Sequence, residues 1–177
     1  MSAFLTLYIT ISSLLLILLI IGYFLPNKIV IQEEIDVKTS AEEAFKNFAD
    51  LKLFSKWHPW FRKVAAVNIQ FEGEALTVSN KIYFKSKTYS IQKKIEISHL
   101  EANRKVFMEF DFGYNLKGNI EIDLISNDIA KTHIYFNFYL PLGSNPLIRW
   151  YGFITKTSYH VSIRSGLKTL KVKLETT

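Results

Sequence analysis

From Phe4 to Leu25 the chain reads FLTLYITISSLLLILLIIGYFL, 22 residues without a charged side chain. The small polar residues in it are Thr6, Thr10, Ser12 and Ser13, whose hydroxyls can bond back to carbonyls of their own helix. At 1.5 Å per residue such a helix is about 33 Å long, enough for a hydrocarbon core of about 30 Å. Tyr8, Tyr23 and Phe24 lie near its ends, where aromatic rings favour the membrane interface. Pro26 and Asn27 stop it. A buried core helix would carry a polar stripe, and none is present. A cleaved signal peptide would have basic residues ahead of a shorter apolar run and a small-residue exit. Here no Lys or Arg precedes the run, and it leaves through Tyr23, Phe24 and Leu25. The expectation is a single-pass transmembrane helix over residues 4–25 and a short linker over 26–28. Lys28 and Lys38 follow it, so the positive-inside bias places the remaining domain in the cytoplasm.

The 22 Lys and Arg and 16 Asp and Glu all fall after Asn27. They make up about a quarter of the rest of the chain, as in an ordinary soluble domain. A chain of 177 residues suits one such domain. The absence of cysteine excludes a disulfide framework, thiolate metal ligands and a thiol nucleophile.

Ile29 to Val37 is rich in β-branched residues, with Ile31, Ile35 and Val37 in one alternating phase. Thr39 or Ser40 is a suitable N-cap for a helix over 41–50, and a second short helix covers 51–56. Trp57-His58-Pro59-Trp60-Phe61 then forms an aromatic loop pinned by proline. Six strand-like runs follow. They alternate Val67/Ile69/Phe71, 81–84, Tyr89/Ile91/Ile95/Ile97, Val106/Met108/Phe110/Phe112, Ile120/Ile122/Leu124 and Ile134/Phe136/Phe138/Leu140 with polar residues. Such alternation means one buried and one wet face, as in antiparallel sheets. From about Pro146 to Leu174 the period becomes helical, with Ile163, Leu167, Leu170 and Leu174 as a stripe. The β-branched, Ser-rich stretch 155–162 is where this helix should break or fray. The order gives an α+β fold: a curved antiparallel seven-stranded sheet with a long C-terminal helix across its apolar face, over residues 29–174.

Four places in this order resemble the START-like, or SRPBCC, superfamily, in particular bacterial polyketide cyclase/dehydrase-type members. They are the strand-to-helix entry Ile35 to Phe45, the Trp57-His58-Pro59-Trp60 cluster, the strand-turn-strand IEISHLEANRKV over 95–106, and Gly166-Leu167-Lys168-Thr169-Leu170-Lys171 in the last helix. Thr169 stands where the family usually has Asn. The resemblance implies a helix-grip fold with a hydrophobic cavity between sheet and helix. It implies no single activity, since the superfamily spans lipid carriers, receptors, cyclases and chaperone activators.

The histidines His58, His99, His133 and His160 show no metal-ligand spacing, and no metal or cofactor is expected. His99 and His133 fall on strand edges or turns. His58 is a weak candidate acid/base, since no orienting partner is visible; otherwise its loop is a hydrophobic plug. Candidate cavity residues are Trp57, Trp60, Phe61, Tyr89, Met108, Phe110, Phe112, Phe136, Phe138 and Trp150. Lys93 interrupts an apolar phase, as a bulge, a snorkelling side chain or a partner for an acidic head group. From Arg149 onward six Lys and Arg face one acid, Glu175. That suits a solvated face or anionic lipid, and nucleic acid is not expected. The reading that follows is a membrane-tethered, non-catalytic binder of a hydrophobic small molecule or lipid. The alternatives are a cyclase- or dehydratase-like enzyme on an apolar substrate, and a protein-interaction module.

Overall fold

A computed structural model describes residues 2–62, 68–85, 91–128 and 130–176. Val67 and Tyr89 lie outside the described residues. Helix α1 (Ser2–Phe24) is followed by β1 (Lys28–Val37), α2 (Ala41–Ala49), α3 (Leu51–Trp57) and α4 (Pro59–Arg62). Then come β2 (Asn68–Glu72), β3 (Lys81–Lys85), β4 (Gln92–Glu101), β5 (Lys105–Asp111), β6 (Lys117–Asp128), β7 (Lys131–Pro141) and α5 (Pro146–Glu175). The seven strands form one antiparallel sheet in the order β1-β7-β6-β5-β4-β3-β2. This is the helix-grip architecture.

The alternation decides which face is which. Val106, Met108, Phe110, Ile120, Ile122, Ile134, Phe136, Phe138 and Leu140 are all at most 2% exposed. Each such side chain contributes about 1.5–3 kcal/mol when taken out of water. The opposite phase carries ion pairs in solvent, such as Lys94 with Glu96 and Lys105 with Asp123, which add little stability. Register shifts at Ile97/His99 and Ser126/Asp128 mark bulges, which bend a sheet. The bulge in β4 is therefore not at Lys93, which sits in regular register opposite Phe84. His99 and His133 lie within β4 and β7 rather than at edges or turns.

Of the two candidate N-caps, Thr39 and Ser40, the cap is Ser40, whose hydroxyl accepts from the Glu43 amide at 3.2 Å. The proline-pinned stretch is not a loop: Pro59 opens the four-residue helix α4, because its fixed φ suits a first helical position. Helix α5 does not break within 155–162. Two side chains in that stretch are held by the sheet. Tyr159 stacks on Phe138 at 5.4 Å, and His160 Nε2 lies 2.6 Å from Glu33 Oε1 on β1. These contacts outweigh the weak local propensity. The stripe Ile163, Leu167, Leu170 and Leu174 is buried.

Gly166 sets how closely α5 approaches the aromatic segment. A Cβ there would lie 2.7 Å from Pro59 Cδ and 3.4 Å from Trp57 Cζ3. Gly166→Val is therefore expected to destabilise the domain by about 2 kcal/mol through overpacking, read by urea unfolding of the detergent-solubilised protein.

Candidate functional site

Trp57 is 1% exposed, makes edge contacts with Phe48 and Phe54, and donates its indole N–H to the Asn47 carbonyl at 3.1 Å. Asn47 is itself buried; its side chain donates to the Glu43 carbonyl at 2.9 Å and accepts from Lys173 Nζ at 2.6 Å. Trp57 thus fastens α2, α3 and α5 together. Phe61, Met108, Phe110, Phe136 and Phe138 are core side chains as well.

His58 is fully buried among rings: Phe54 is stacked on it at 4.9 Å, and Trp60 lies 4.4 Å away. Its Nδ1 accepts from the Trp60 amide at 3.4 Å, which leaves the proton on Nε2. Burial pushes its pKa down from 6.5 to about 3, so it is neutral at physiological pH. It is not among the residues that line the apolar cavity described next, and no carboxylate among the described residues orients it. This is the setting of a core side chain.

The apolar cavity lies further along α5. It is a partly open pocket of about 480 Å³, lined by Ile91, Lys93, Phe112, Tyr114, Leu116, Leu147, Ile148, Tyr151 and Tyr159. That volume is within the usual range for small-molecule sites. Of the side chains singled out from sequence, Phe112 and Lys93 line it. Trp60 stands behind it, 5.1 Å from Phe112 and 6.3 Å from Tyr159. Trp150 faces away from the sheet and towards α1: its indole Nε1 donates to the Leu18 carbonyl at 2.9 Å. Tyr114, Leu116, Leu147, Ile148, Tyr151 and Tyr159 were not singled out. Tyr151 and Tyr159 are eight residues apart on one helix, a spacing that could have marked them as one face.

The polar groups of the cavity are few. Lys93 Nζ lies 5.5 Å from the Phe112 ring centre, and burial lowers its pKa. The hydroxyls of Tyr151 and Tyr159 are 3.1 Å apart, and burial above all holds the Tyr159 phenol far up, so it stays protonated. Among the described residues no group of three His, Asp or Glu is placed to hold a metal ion. A larger groove of about 750 Å³ lies on the outer face near Arg104, Lys105 and Asp123, with a charged lining unsuited to an oily molecule.

The first turns of α5, which supply Leu147, Ile148 and Tyr151 to the cavity, also meet α1. Gly22 is buried against Trp150 and Pro146, with room for no Cβ (2.8 and 2.9 Å). The Arg149 guanidinium donates to the Tyr23 carbonyl and lies over the Tyr23 ring. The other side of these first turns of α5 is uncovered: Leu147, Phe153 and Ile154 are 65%, 59% and 69% exposed.

No family model matches the chain, and no curated protein matches it in sequence. Solved structures do. The solution structure of the Aha1 dimer from Colwellia psychrerythraea superposes with a TM-score of 0.58 at 16% identity, over 83% of this chain and 96% of that one. The domain shares the helix-grip fold of that structure. Protein CV1439 from Chromobacterium violaceum matches with a TM-score of 0.56 at 14% identity, over 82% and 96%. Mll3558 from Rhizobium loti matches with a TM-score of 0.56 at 12% identity, over 83% and 97%. Identities this low speak for a common fold and not for a common substrate.

His58 gives a pH test. Unfolded, it takes a proton near pH 6.5; folded, only near pH 3. Between those values the unfolded chain binds more protons, so stability falls as pH drops through this window, by at most about 1.4 kcal/mol per pH unit. His58→Gln should remove this slope, seen in the difference between wild-type and variant urea titrations from pH 7 to 4.

Proposed function

We propose that this protein is a membrane-tethered binder of a hydrophobic small molecule or lipid, with α1 as a single-pass anchor and the domain on the cytoplasmic side. The observation that carries the reading is the place of the cavity: between the sheet and the half of α5 that docks on α1. Helix α1 is long and apolar enough to cross a membrane, with a mean hydropathy of 2.6 in an 18-residue window within Ala3–Phe24. From Ala3 to Phe24 every residue except Gly22 is exposed. Leu147, Phe153 and Ile154 continue that apolar surface onto α5, and Leu147 also lines the cavity. Tyr23, Arg149 and Trp150 cluster where the two helices meet, a residue set suited to a membrane interface. A ligand could pass from bilayer to cavity without crossing water. Burial of its apolar surface at about 25 cal/mol per Å² supplies affinity without any catalytic group.

The protein purified in a mild detergent is expected to carry a lipid or other apolar molecule detectable by mass spectrometry. Ile148→Trp should lower that occupancy at least tenfold by filling the cavity. Its absence from wild type, with no uptake of a fluorescent fatty acid, would count decisively against the reading. A second reading, a cyclase- or dehydratase-like enzyme, is favoured by one observation: Lys93 and Tyr159 are cavity groups with displaced pKa values, as acid/base groups often are. It requires recovery of a chemically altered ligand in the same experiment.

The chain lacks cysteine, so single labels are clean. In phosphatidylcholine nanodiscs, an environment-sensitive dye at Phe153→Cys or Ile154→Cys should report an apolar setting, and one at Val172→Cys an aqueous one. Equal, aqueous spectra at all three would detach the first half of α5 from the bilayer.

A further inference from the structure

Lys93 is, among the described residues, the one charged side chain lining the apolar cavity. Its neighbour Lys94 pairs with Glu96 at 2.8 Å, but the pleat of β4 turns Lys93 to the other face. There it is half-buried, with the Phe112 ring beneath it. It has no carboxylate and no hydrogen-bond acceptor among the described residues. A partly desolvated ammonium without a counter-charge is unfavourable, and an anion beside it restores the lost solvation. Tyr151 and Tyr159 line the same space, and their hydroxyls share one hydrogen bond. One O–H is consumed by that bond, so the pair retains a second O–H to donate. Around these three groups the lining is apolar: Ile91, Phe112, Leu116, Leu147 and Ile148.

We propose that the cavity selects a single-chain amphiphile with an anionic head, a carboxylate or a phosphate monoester. Lys93 Nζ and the free tyrosine O–H meet the head, while the aliphatic side chains hold the tail. This deepens the hydrophobic-ligand reading and rests on it.

The test uses the full chain in phosphatidylcholine nanodiscs, with empty nanodiscs subtracted. Deuterated oleate, oleyl phosphate and oleyl alcohol are titrated, and retained ligand is measured by mass spectrometry. Wild type is expected to bind oleate or oleyl phosphate at least tenfold tighter than the alcohol, and the tighter of the two identifies the head group. Lys93→Gln should bring that preference to within about twofold, with an unchanged far-ultraviolet circular dichroism spectrum showing that the variant is folded. Lys93→Arg should keep the preference. Equal binding of all three ligands by wild type, or a preference that survives Lys93→Gln, overturns the head-group assignment alone. No binding of any ligand above empty nanodiscs removes both this assignment and the hydrophobic-ligand reading.

Discussion

The inward face of the sheet is an almost continuous layer of phenylalanine and branched aliphatic side chains, and it must be covered. Helix α5 covers it unevenly, and most of the molecule's character follows from that. Its second half supplies Ile163, Leu167, Leu170 and Leu174 to the core and approaches α4 closely at Gly166. Its first half has a divided allegiance. Gly152 and Ile148 turn to the domain, whereas Pro146, Arg149 and Trp150 turn to α1. A helix serving two partners cannot fill the space beneath it completely. The cavity between Phe112, Leu116 and Tyr159 is what remains.

The other end of the sheet is closed by polar bonding as much as by packing. Asn47 joins the Trp57 indole, the Glu43 carbonyl and the Lys173 ammonium. Glu175 accepts from the Lys38 amide at 3.0 Å, and buried Thr132 donates to the Thr39 carbonyl at 2.8 Å. Buried groups satisfied in this way favour one arrangement over near alternatives. They hold α2, α3 and the end of α5 rigid, which leaves the cavity end as the part of the helix-grip with room for a guest.

Much of the fold could be read from the chain because strand and helix periods are local. The phase Ile134, Phe136, Phe138 and Leu140 announces its buried face at every second residue, and the C-terminal stripe does so at helical spacing. The cap of α2 was narrowed to Thr39 or Ser40. The cavity was less legible. Aromatic residues such as Trp57, Phe136 and Phe138 looked equally suited to a ligand and to a core, since a sequence shows that a side chain faces inward but not whether another side chain already occupies the space. Trp150 shows the same limit: its docking surface is α1, more than 120 residues away in the chain. Glu33 is a further case, a carboxylate on the inward phase of β1 whose partner, His160, is 127 residues on.

The sequence by itself determined the apolar leader, the strands, their buried faces except in β2, where Phe71 is exposed, the order of elements, and the absence of thiol chemistry. All of these rest on composition or on the repeat of two or 3.6 residues. Only the tertiary structure decided that His58 is sealed among rings, that α5 runs unbroken through its β-branched middle, and that Lys93 shares an apolar chamber with Tyr151 and Tyr159. Those outcomes depend on which distant surfaces meet and on the volume left between them, and no local pattern encodes either.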